Sequence, residues 1–333
     1  MPRKHLSVWA ALLLAVAFTA AFAVGCGGDS TKTTGDTAAS PAVATDLTPE
    51  EIVDKSTAVM NKLNAASFSV DFKLDLEGDA SKMSDPTAQQ LLSKPVTLHM
   101  EGESSSEPRV ADMDVTVALM GQNLAMTVLN EGNKAWVRYE DTWYAVPPEN
   151  TKALQSKDPS ALPTDQLEDL GLDARQWDVD WELIGTETYD GSEVYHLKAA
   201  PDPEKIAGDM LKALEDPDFY KQLGDPQAAE QLKAMKTEKA KELKEAQKAL
   251  KSVEVQLWIE TESMYLRQGT VLIGMDATGL EDAEGLTAMN MDIAFTMADF
   301  DVPVEVEAPA KAKDLEVLMN ELMGGMMGGA GAF

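Results

Sequence analysis

Residues 68–77 read FSVDFKLDLE, and this strict alternation of apolar and polar side chains decides the fold class. Apolar residues at every second position predict a long β-strand, because successive side chains of a strand point to opposite faces of its sheet. One face of this strand is therefore apolar and the other polar. Such a strand needs neighbours with the same pattern and a layer that covers the apolar side.

The same two-residue period returns along most of the chain. Turn-rich segments such as 102–108 and 121–123 separate the alternating stretches, so consecutive strands are expected to pair antiparallel. We expect nine or ten strands in one sheet, drawn from alternating segments near residues 68–77, 96–100, 113–119, 124–128, 134–140, 143–146, 181–188, 194–198, 253–259, 264–273, 289–297 and 300–306. No fixed repeat period is evident, which argues against a solenoid.

Helical segments are predicted before, within and after the sheet. Thr48 with Glu51 three residues later forms a capping box, which predicts an amphipathic helix over residues 49–64. Residues 149–176 have the pattern of short helices and loops. The segment 203–251 is rich in helix formers; its last piece, from Gln227 to Lys251, either covers the open face of the sheet or is a solvated excursion. A short helix is expected from Lys313 to Met323. Together these elements predict one α+β domain.

The N-terminal segment has the layout of a secretory signal. Two basic residues precede an apolar run over about residues 8–24, and Gly25 precedes Cys26, the only cysteine. The run resembles the lipobox of bacterial lipoprotein precursors, in which the cysteine receives a diacylglyceryl group and signal peptidase II cuts just before it. An uncleaved membrane anchor and a simple secreted protein are the alternatives. The run is at the short limit of a membrane span, and secretion alone leaves the cysteine unexplained.

These patterns divide the chain into four parts. Residues 1–25 are expected to be a cleaved signal peptide, and 26–47 the lipidated cysteine with a flexible, polar tether. Residues 48–323 form the folded domain with the helical insertion, and 324–333 are a flexible Gly/Met tail. The predicted location is the extracytoplasmic face of the cell membrane, with Cys26 as the anchor.

Charge and residue usage exclude several function classes. The chain has 57 acidic and 28 basic residues, a net charge of −29. Loss of Arg3 and Lys4 with the signal would leave 26 basic residues and a net charge of −31. Such a field repels nucleic acid and anionic headgroups, so no nucleic-acid partner is expected and membrane attachment rests on the lipid anchor. The 18 methionines suit surfaces that adapt to variable apolar partners, although a methionine-filled core is the simpler alternative.

Catalytic and metal-binding motifs are not evident in the sequence. His5 lies in the predicted signal, and His99 and His196 lie in predicted strands, His99 on the polar side. No Cys/His set has zinc spacing, and there is no nucleophile elbow or phosphate-binding glycine loop. We therefore expect no enzyme activity, no metal and no cofactor.

Several segments together resemble one family. The chain has the lipobox and tether, then LTPEE at 47–51, GTETYDGSEVYHL at 185–197 and ADFDVPVEVEAP at 298–309. In this order they are similar to the LolA-like superfamily, especially the LppX/LprG type of anchored lipoprotein. The resemblance implies an α+β fold with a strongly curved antiparallel sheet, an incomplete β-barrel, whose concave apolar face is covered by helices and holds acyl chains of a lipid or lipoprotein.

The apolar side of the predicted strands supplies the candidate lipid contacts. They are Phe68, Val70, Phe72, Leu74, Val96, Leu98, Met100, Val115, Val117, Leu119, Met126, Val255, Leu257, Met291 and Ile293. A half-closed sheet with one apolar face is a place where a cavity can persist. For any one of these residues an ordinary packed core is the alternative.

Three functions follow, in order of preference. The first is an anchored lipoprotein that binds a lipid or acylated ligand in an apolar cavity and carries it within the cell envelope, with a possible protein partner for loading or delivery. The second is an anchored structural or sensory module with a filled core, acting through protein contacts. The third is an extracytoplasmic hydrolase, which would need a catalytic constellation that the sequence does not display.

Overall fold

The computed structural model describes residues 46–84, 86–148, 179–213, 248–278 and 285–318. Within these ranges the chain forms one large, curved sheet of twelve strands with few helices. The strand order is β12-β6-β5-β4-β3-β2-β1-β11-β10-β9-β8-β7, so β12 and β7 are the edges and the described sheet is not closed. Every neighbouring pair is antiparallel except β12 with β6, which is parallel. The strongly curved, unclosed and mostly antiparallel sheet of the predicted fold class is confirmed.

The bounds of the elements follow the chain. The helices are α1 (Pro49–Met60), a 3₁₀ turn (Ala80–Lys82), α2 (Pro86–Ser93) and α3 (Pro203–Ala213). The strands are β1 (Ala65–Gly78), β2 (Val96–Ser106), β3 (Arg109–Leu119), β4 (Gln122–Glu131), β5 (Lys134–Tyr139), β6 (Thr142–Ala145), β7 (Trp181–Tyr189), β8 (Ser192–Ala199), β9 (Leu250–Glu260), β10 (Leu266–Asp276), β11 (Leu286–Ala298) and β12 (Lys313–Asp314).

Strand β1 lies near the middle of the sheet, as its long alternating pattern allows. It pairs with β2 on one side and with β11 on the other. Phe72 lies opposite Leu98 on β2 and opposite Ile293 on β11. Directly opposed residues share a face of the sheet, so the apolar sides of consecutive strands join into one continuous surface, which we call the apolar face. The opposite surface is the polar face.

Helix α1 begins where the capping box predicts. Thr48 Oγ1 accepts a hydrogen bond from the Glu51 N–H at 3.2 Å, and Glu51 Oε2 accepts one from the Thr48 N–H at 2.8 Å. Pro49 occupies the first turn, where its missing N–H leaves no bond unmade. The backbone N–H of Leu266 on β10 donates to Met60 Sδ at 3.4 Å at the end of the helix. The helix is thus fixed to the sheet at its last turn.

Helices α1 and α3 cover one part of the apolar face. Helix α1 contacts β7 and β9, and α3 contacts β9. Ile52 and Val53 of α1 and Ile206 of α3 are at most 2% exposed and belong to one core cluster with residues of β8 to β11. The remaining described helix, α2, contacts β1. Residues 79–95, which carry α2 and the 3₁₀ turn, were given no element in the sequence prediction.

The predicted strand at 300–306 is wrong. Residues 302–309 have no regular secondary structure and cross the polar face near the start of β1. Asp301 fixes this segment: its N–H donates to the Ala65 carbonyl at 2.8 Å, and its Oδ1 accepts from the Asn64 N–H at 2.8 Å. Val304 is then buried against Ala65 and Val110. Val306 packs against the same cluster, whereas Val302 is 51% exposed. Pro303 has no N–H for a sheet ladder.

Three predicted helix boundaries also need correction, and the expected strand count was too low. Helix α1 ends at Met60 and does not continue to residue 64. Lys313 and Asp314 form β12 beside β6, so the predicted helix at 313–323 does not begin there; residues 315–318 are helical. Leu250 begins β9, so the helical insertion ends before Lys251. The described sheet has twelve strands where nine or ten were expected. Eleven of them match predicted segments, and β12 does not.

Several predicted segments lie outside the described residues. They are the signal at 1–25, Cys26, most of the tether, the loops at 149–176, most of the insertion after residue 213, and the tail at 324–333. The assignment of these segments and of the domain limits stays a prediction. In the part of the chain that is described, no helix is long and apolar enough to cross a membrane.

Candidate lipid-binding face

The structure brings the fifteen candidate residues onto one face of the sheet. Register pairs link them from strand to strand: Val70 lies opposite Met100, Met100 opposite Val115, and Val115 opposite Met126. On the other side of β1, Leu74 lies opposite Met291. The alternation therefore assigned the side of each strand correctly, while only the register shows which side chains are neighbours.

Burial divides the candidates into two sets. Val255, Leu257, Met291 and Ile293 are 3%, 0%, 3% and 4% exposed and belong to the core cluster under α1 and α3. We call them the buried set. The other eleven are only partly buried and form the half-buried set: Phe68, Val70, Phe72, Leu74, Val96, Leu98, Met100, Val115, Val117, Leu119 and Met126. All eleven lie on β1 to β4.

Residue type does not explain this division, because both sets consist of apolar side chains. In the β8 to β11 part, apolar side chains are removed from water by helices. On β1 to β4, equally apolar side chains keep part of their surface accessible. Each square ångström of apolar surface left accessible forgoes roughly 25 cal/mol of transfer free energy. The half-buried set is thus a surface on which an apolar ligand would find favourable contact.

Six neighbours of the half-buried set were absent from the candidate list, although their alternation indicated the same face. Leu76, Met113, Leu124, Val128, Phe295 and Met297 are also partly buried. Val117 lies opposite Leu124, and Phe68 lies opposite Met297. The Phe295 ring lies over Gly269 of β10, in the space that a Cβ at this glycine would occupy. Three methionines, Met100, Met113 and Met126, surround Val115, and their flexible thioethers can adapt to an irregular ligand.

The polar face carries the charged side chains of the same strands. Glu101, Glu103, Asp112 and Asp114 line a hollow of about 500 Å³ together with Ser67 and Ser69. Partial burial raises the pKa of Asp112, and the nearby Asp114 carboxylate raises it further, while Arg138 opposes both effects. Among the described residues, no cluster of His, Cys, Asp or Glu is arranged to hold a metal ion.

Both described histidines lie on the polar face, away from the half-buried set. His99 Nδ1 is 2.8 Å from Asp71 Oδ1, and this hydrogen bond raises the pKa of His99 above its ordinary value. His196 Nδ1 is 2.5 Å from Glu187 Oε1, and the imidazole stacks on Trp258 with ring centroids 4.4 Å apart. These contacts join neighbouring strands, which is a structural role.

Comparison with known proteins gives matches of structure. No protein-family model matches the chain, and no curated protein matches it in sequence. Among solved structures, the lipoprotein LppX of Mycobacterium tuberculosis is 12% identical with a TM-score of 0.35, covering 76% of this chain and 94% of LppX. LprF from Mycobacterium bovis is 14% identical with a TM-score of 0.39, covering 79% and 97%. A DUF1329 family protein from Desulfovibrio piger is 9% identical with a TM-score of 0.20, covering 76% and 92%.

LppX, whose type of lipoprotein the sequence resembles, is among these matches. The likeness is one of fold. Because the TM-scores lie below 0.5, the function is argued from the residues of this chain.

Proposed function

We propose that this protein is a lipoprotein, anchored at the extracytoplasmic face of the cell membrane, that binds a lipid acyl chain against the half-buried set and carries it within the cell envelope. One observation carries the proposal: the apolar face continues across the sheet, but the helices α1 and α3 bury its side chains only on one part. An acyl chain on β1 to β4 would complete this burial. No covalent step is involved, because the driving force is removal of apolar surface from water.

The size of the half-buried set supports an acyl ligand. Along β1 it extends from Phe68 to Leu74, which is about 20 Å at about 3.3 Å per residue. The hydrocarbon core of a bilayer is about 30 Å thick, so a chain from one leaflet reaches about 15 Å. Four strands lie side by side across the set, at about 4.8 Å per strand. The surface therefore accommodates chains of ordinary membrane-lipid length.

The N-terminal segment supports the location. Cys26 follows an apolar run with the layout of an export signal, and a diacylglyceryl group on it would provide two buried chains. At about 0.8 kcal/mol per buried CH₂, one chain binds marginally whereas two hold a protein stably at the membrane. The polar tether would leave the domain near the bilayer from which its ligand comes.

The buried set favours the second candidate function, a structural or sensory module with a filled core, for the β8 to β11 part of the sheet. There the core is filled by side chains, as a structural or sensory module requires. If the half-buried set were likewise covered by a protein partner, the chain would act through protein contacts and would take up no lipid.

The test is a triple substitution in the half-buried set. Val70→Thr, Leu98→Gln and Val117→Thr place polar groups on three adjacent strands while keeping residues that strands accept. We expect the variant to fold, as circular dichroism will show, and to lose uptake of a fluorescent long-chain acyl probe.

A matched control changes the same strands on the polar face: Ser69→Thr, Thr97→Gln and Thr116→Ser. This control should take up the probe like the unmodified protein. Undiminished uptake by a folded Val70/Leu98/Val117 variant would remove the half-buried set from the lipid site.

A further inference from the structure

Methionines occupy the middle of the proposed lipid surface. Four methionines of the apolar face are only partly buried, and we call them the face methionines: Met100, Met113, Met126 and Met297. Met100 and Met126 both lie opposite Val115, and Met113 lies two residues from Val115 along β3. Directly opposed residues of a sheet are about 5 Å apart. Three of the four thioethers are therefore collected around one residue of the half-buried set.

Burial separates the face methionines from the other methionines of the apolar face. Met275, Met289 and Met291 are 5%, 3% and 3% exposed and belong to the core cluster. The face methionines keep part of their surface accessible to solvent. Oxidation converts a methionine thioether into a polar sulfoxide, and a dissolved oxidant reaches an accessible sulfur before a buried one. The same protein thus has methionines that an oxidant reaches easily and methionines that it does not.

The surroundings of the face methionines make a sulfoxide unfavourable under a lipid. Met100 lies opposite Val70 and Val115, and Met113 lies opposite Gly102 and Val128. None of these four side chains has an O–H or N–H that could donate to a sulfoxide oxygen.

Met126 differs, because Tyr139 lies opposite it on β5. An acyl chain laid over sulfoxides at Met100 and Met113 would remove two polar oxygens from water without a hydrogen bond from these neighbours, which weakens binding.

We propose that the face methionines form a peroxide-sensitive switch: hydrogen peroxide oxidises them to sulfoxides, which releases the lipid, and bound lipid protects them. In each reaction the sulfur attacks one peroxide oxygen and the O–O bond breaks. The proton of the attacked oxygen passes to the departing hydroxide, so one sulfoxide and one water form. Sulfur loses two electrons and the peroxide gains them. This inference rests on the proposed function, since it assumes that the half-buried set binds a lipid.

The first test follows the unmodified protein during oxidation. The full chain, purified from membranes and freed of detergent and lipid, is treated with hydrogen peroxide, and peptide mass spectrometry locates the sulfoxides. The face methionines should be oxidised before Met289 and Met291, and affinity for a fluorescent long-chain acyl probe should fall roughly tenfold for each sulfoxide. Methionine sulfoxide reductases should restore uptake, which distinguishes the switch from irreversible unfolding. Oxidation of Met289 and Met291 as fast as the face methionines overturns the proposal.

Protection by the ligand is measured in the same way. Saturation with the probe should slow oxidation of the face methionines and leave that of Met120 and Met264 unchanged. These two methionines are also partly buried, but they lie in the turns before β4 and β10. Equal rates with and without the probe overturn the coupling between lipid and oxidation.

Substitution identifies the sulfur atoms that matter. One variant carries leucine at all four face methionines, which removes the sulfur and keeps apolar side chains of similar volume. It should take up the probe both before and after peroxide treatment. Met120→Leu with Met264→Leu is the matched control and should lose uptake after peroxide like the unmodified protein. Loss of uptake by the four-leucine variant after peroxide overturns the switch.

The two proposals fail in different ways. A protein that takes up no probe before peroxide is added contradicts the proposed function. A protein that takes up the probe, and still does so when mass spectrometry shows its face methionines oxidised, contradicts the switch alone.

Discussion

At the scale of single residues, His99 makes the clearest electrostatic contact on the polar face. Its Nδ1 lies 2.8 Å from Asp71 Oδ1, and its Nε2 lies 3.7 Å from Glu101 Oε2. The hydrogen bond with Asp71 is the largest cause of the raised pKa of His99; desolvation opposes it, and Glu101 adds a smaller increase. Because folding raises this pKa, protonated His99 stabilises the folded protein. This contribution is fully present below about pH 6.5, the pKa of histidine in the unfolded chain. It is lost as the pH rises through the folded pKa.

NMR titration of His99 tests this contact. Asp71→Asn is expected to lower the pKa of His99 and to remove its share of the pH dependence of stability. Glu101→Gln should lower it by less, because the Glu101 side chain is the more distant partner. The contact is refuted if Asp71→Asn leaves the titration of His99 unchanged.

Gly269 on β10 is a second position where one added carbon atom, a Cβ, is expected to change the stability of the fold. A Cβ at this position would overlap the Phe295 ring and would lie 3.3 Å from Leu257 Cδ2. Gly269→Ala is expected to displace the ring and to lower the free energy of unfolding by about 1–3 kcal/mol, as overpacking does. Gly185→Ala is the matched control, because nothing lies within 4 Å of its Cβ position. Urea unfolding compares the two; equal stabilities would contradict the close packing of Phe295 on Gly269.

At the scale of elements, the start of helix α1 depends on Thr48. Thr48→Ala removes the hydroxyl that accepts from the Glu51 N–H and is expected to cost about 1 kcal/mol of stability. Thr48→Ser keeps an accepting hydroxyl and should retain most of that stability. Because α1 covers the β7 and β9 part of the apolar face, thermal unfolding of the whole domain reports the loss. A Thr48→Ala variant as stable as Thr48→Ser would show that the cap contributes nothing.

Element prediction succeeded where a local rule acts alone. The alternation at 68–77 and the capping box at Thr48 each fix a local conformation, and both are confirmed. The strand predicted at 300–306 is wrong because Val304, one of its alternating valines, packs on Ala65 and Val110, which lie far away in sequence. Strand β12 has two residues and pairs with β6 across the chain, so no local signal exists for it.

For the candidate site, the sequence predicted which face each side chain lies on but not how deeply it is buried. Alternation placed Val70 and Val255 on the same face of the sheet, yet one is half-buried and the other buried. The difference arises from α1 and α3, which pack over one part of the face. The period of a strand carries no information about which helix covers it, so only the three-dimensional structure could divide the candidates.

At the scale of the whole molecule, the proposed lipid anchor depends on Cys26, which lies outside the described part of the chain. Cys26→Ser removes the thiol that would receive the diacylglyceryl group. We expect the protein to leave the membrane fraction or to remain as the uncleaved precursor, which fractionation and intact mass will show. Unchanged membrane partition together with an unchanged mature mass would refute lipid anchoring at Cys26. A substitution in the tether, Ser30→Ala, is the control and should alter neither property.

The apolar side chains of the sheet are buried to different extents on its two parts, and the proposed function depends on this difference. One part of the apolar face has a filled core beneath helices, and the β1 to β4 part has side chains that a ligand can still cover. If that ligand is an acyl lipid, a protein made in a cell with similar lipids should already contain it, because apolar burial makes dissociation into water unfavourable.

Native mass spectrometry with solvent extraction tests this claim most directly. The chain from Asp46 onward, exported and purified without detergent, is expected to carry a stoichiometric lipid of defined mass. The Val70/Leu98/Val117 variant, prepared in parallel, should lack it. A mass without lipid, in a sample that also fails to take up acyl probes, would contradict the account.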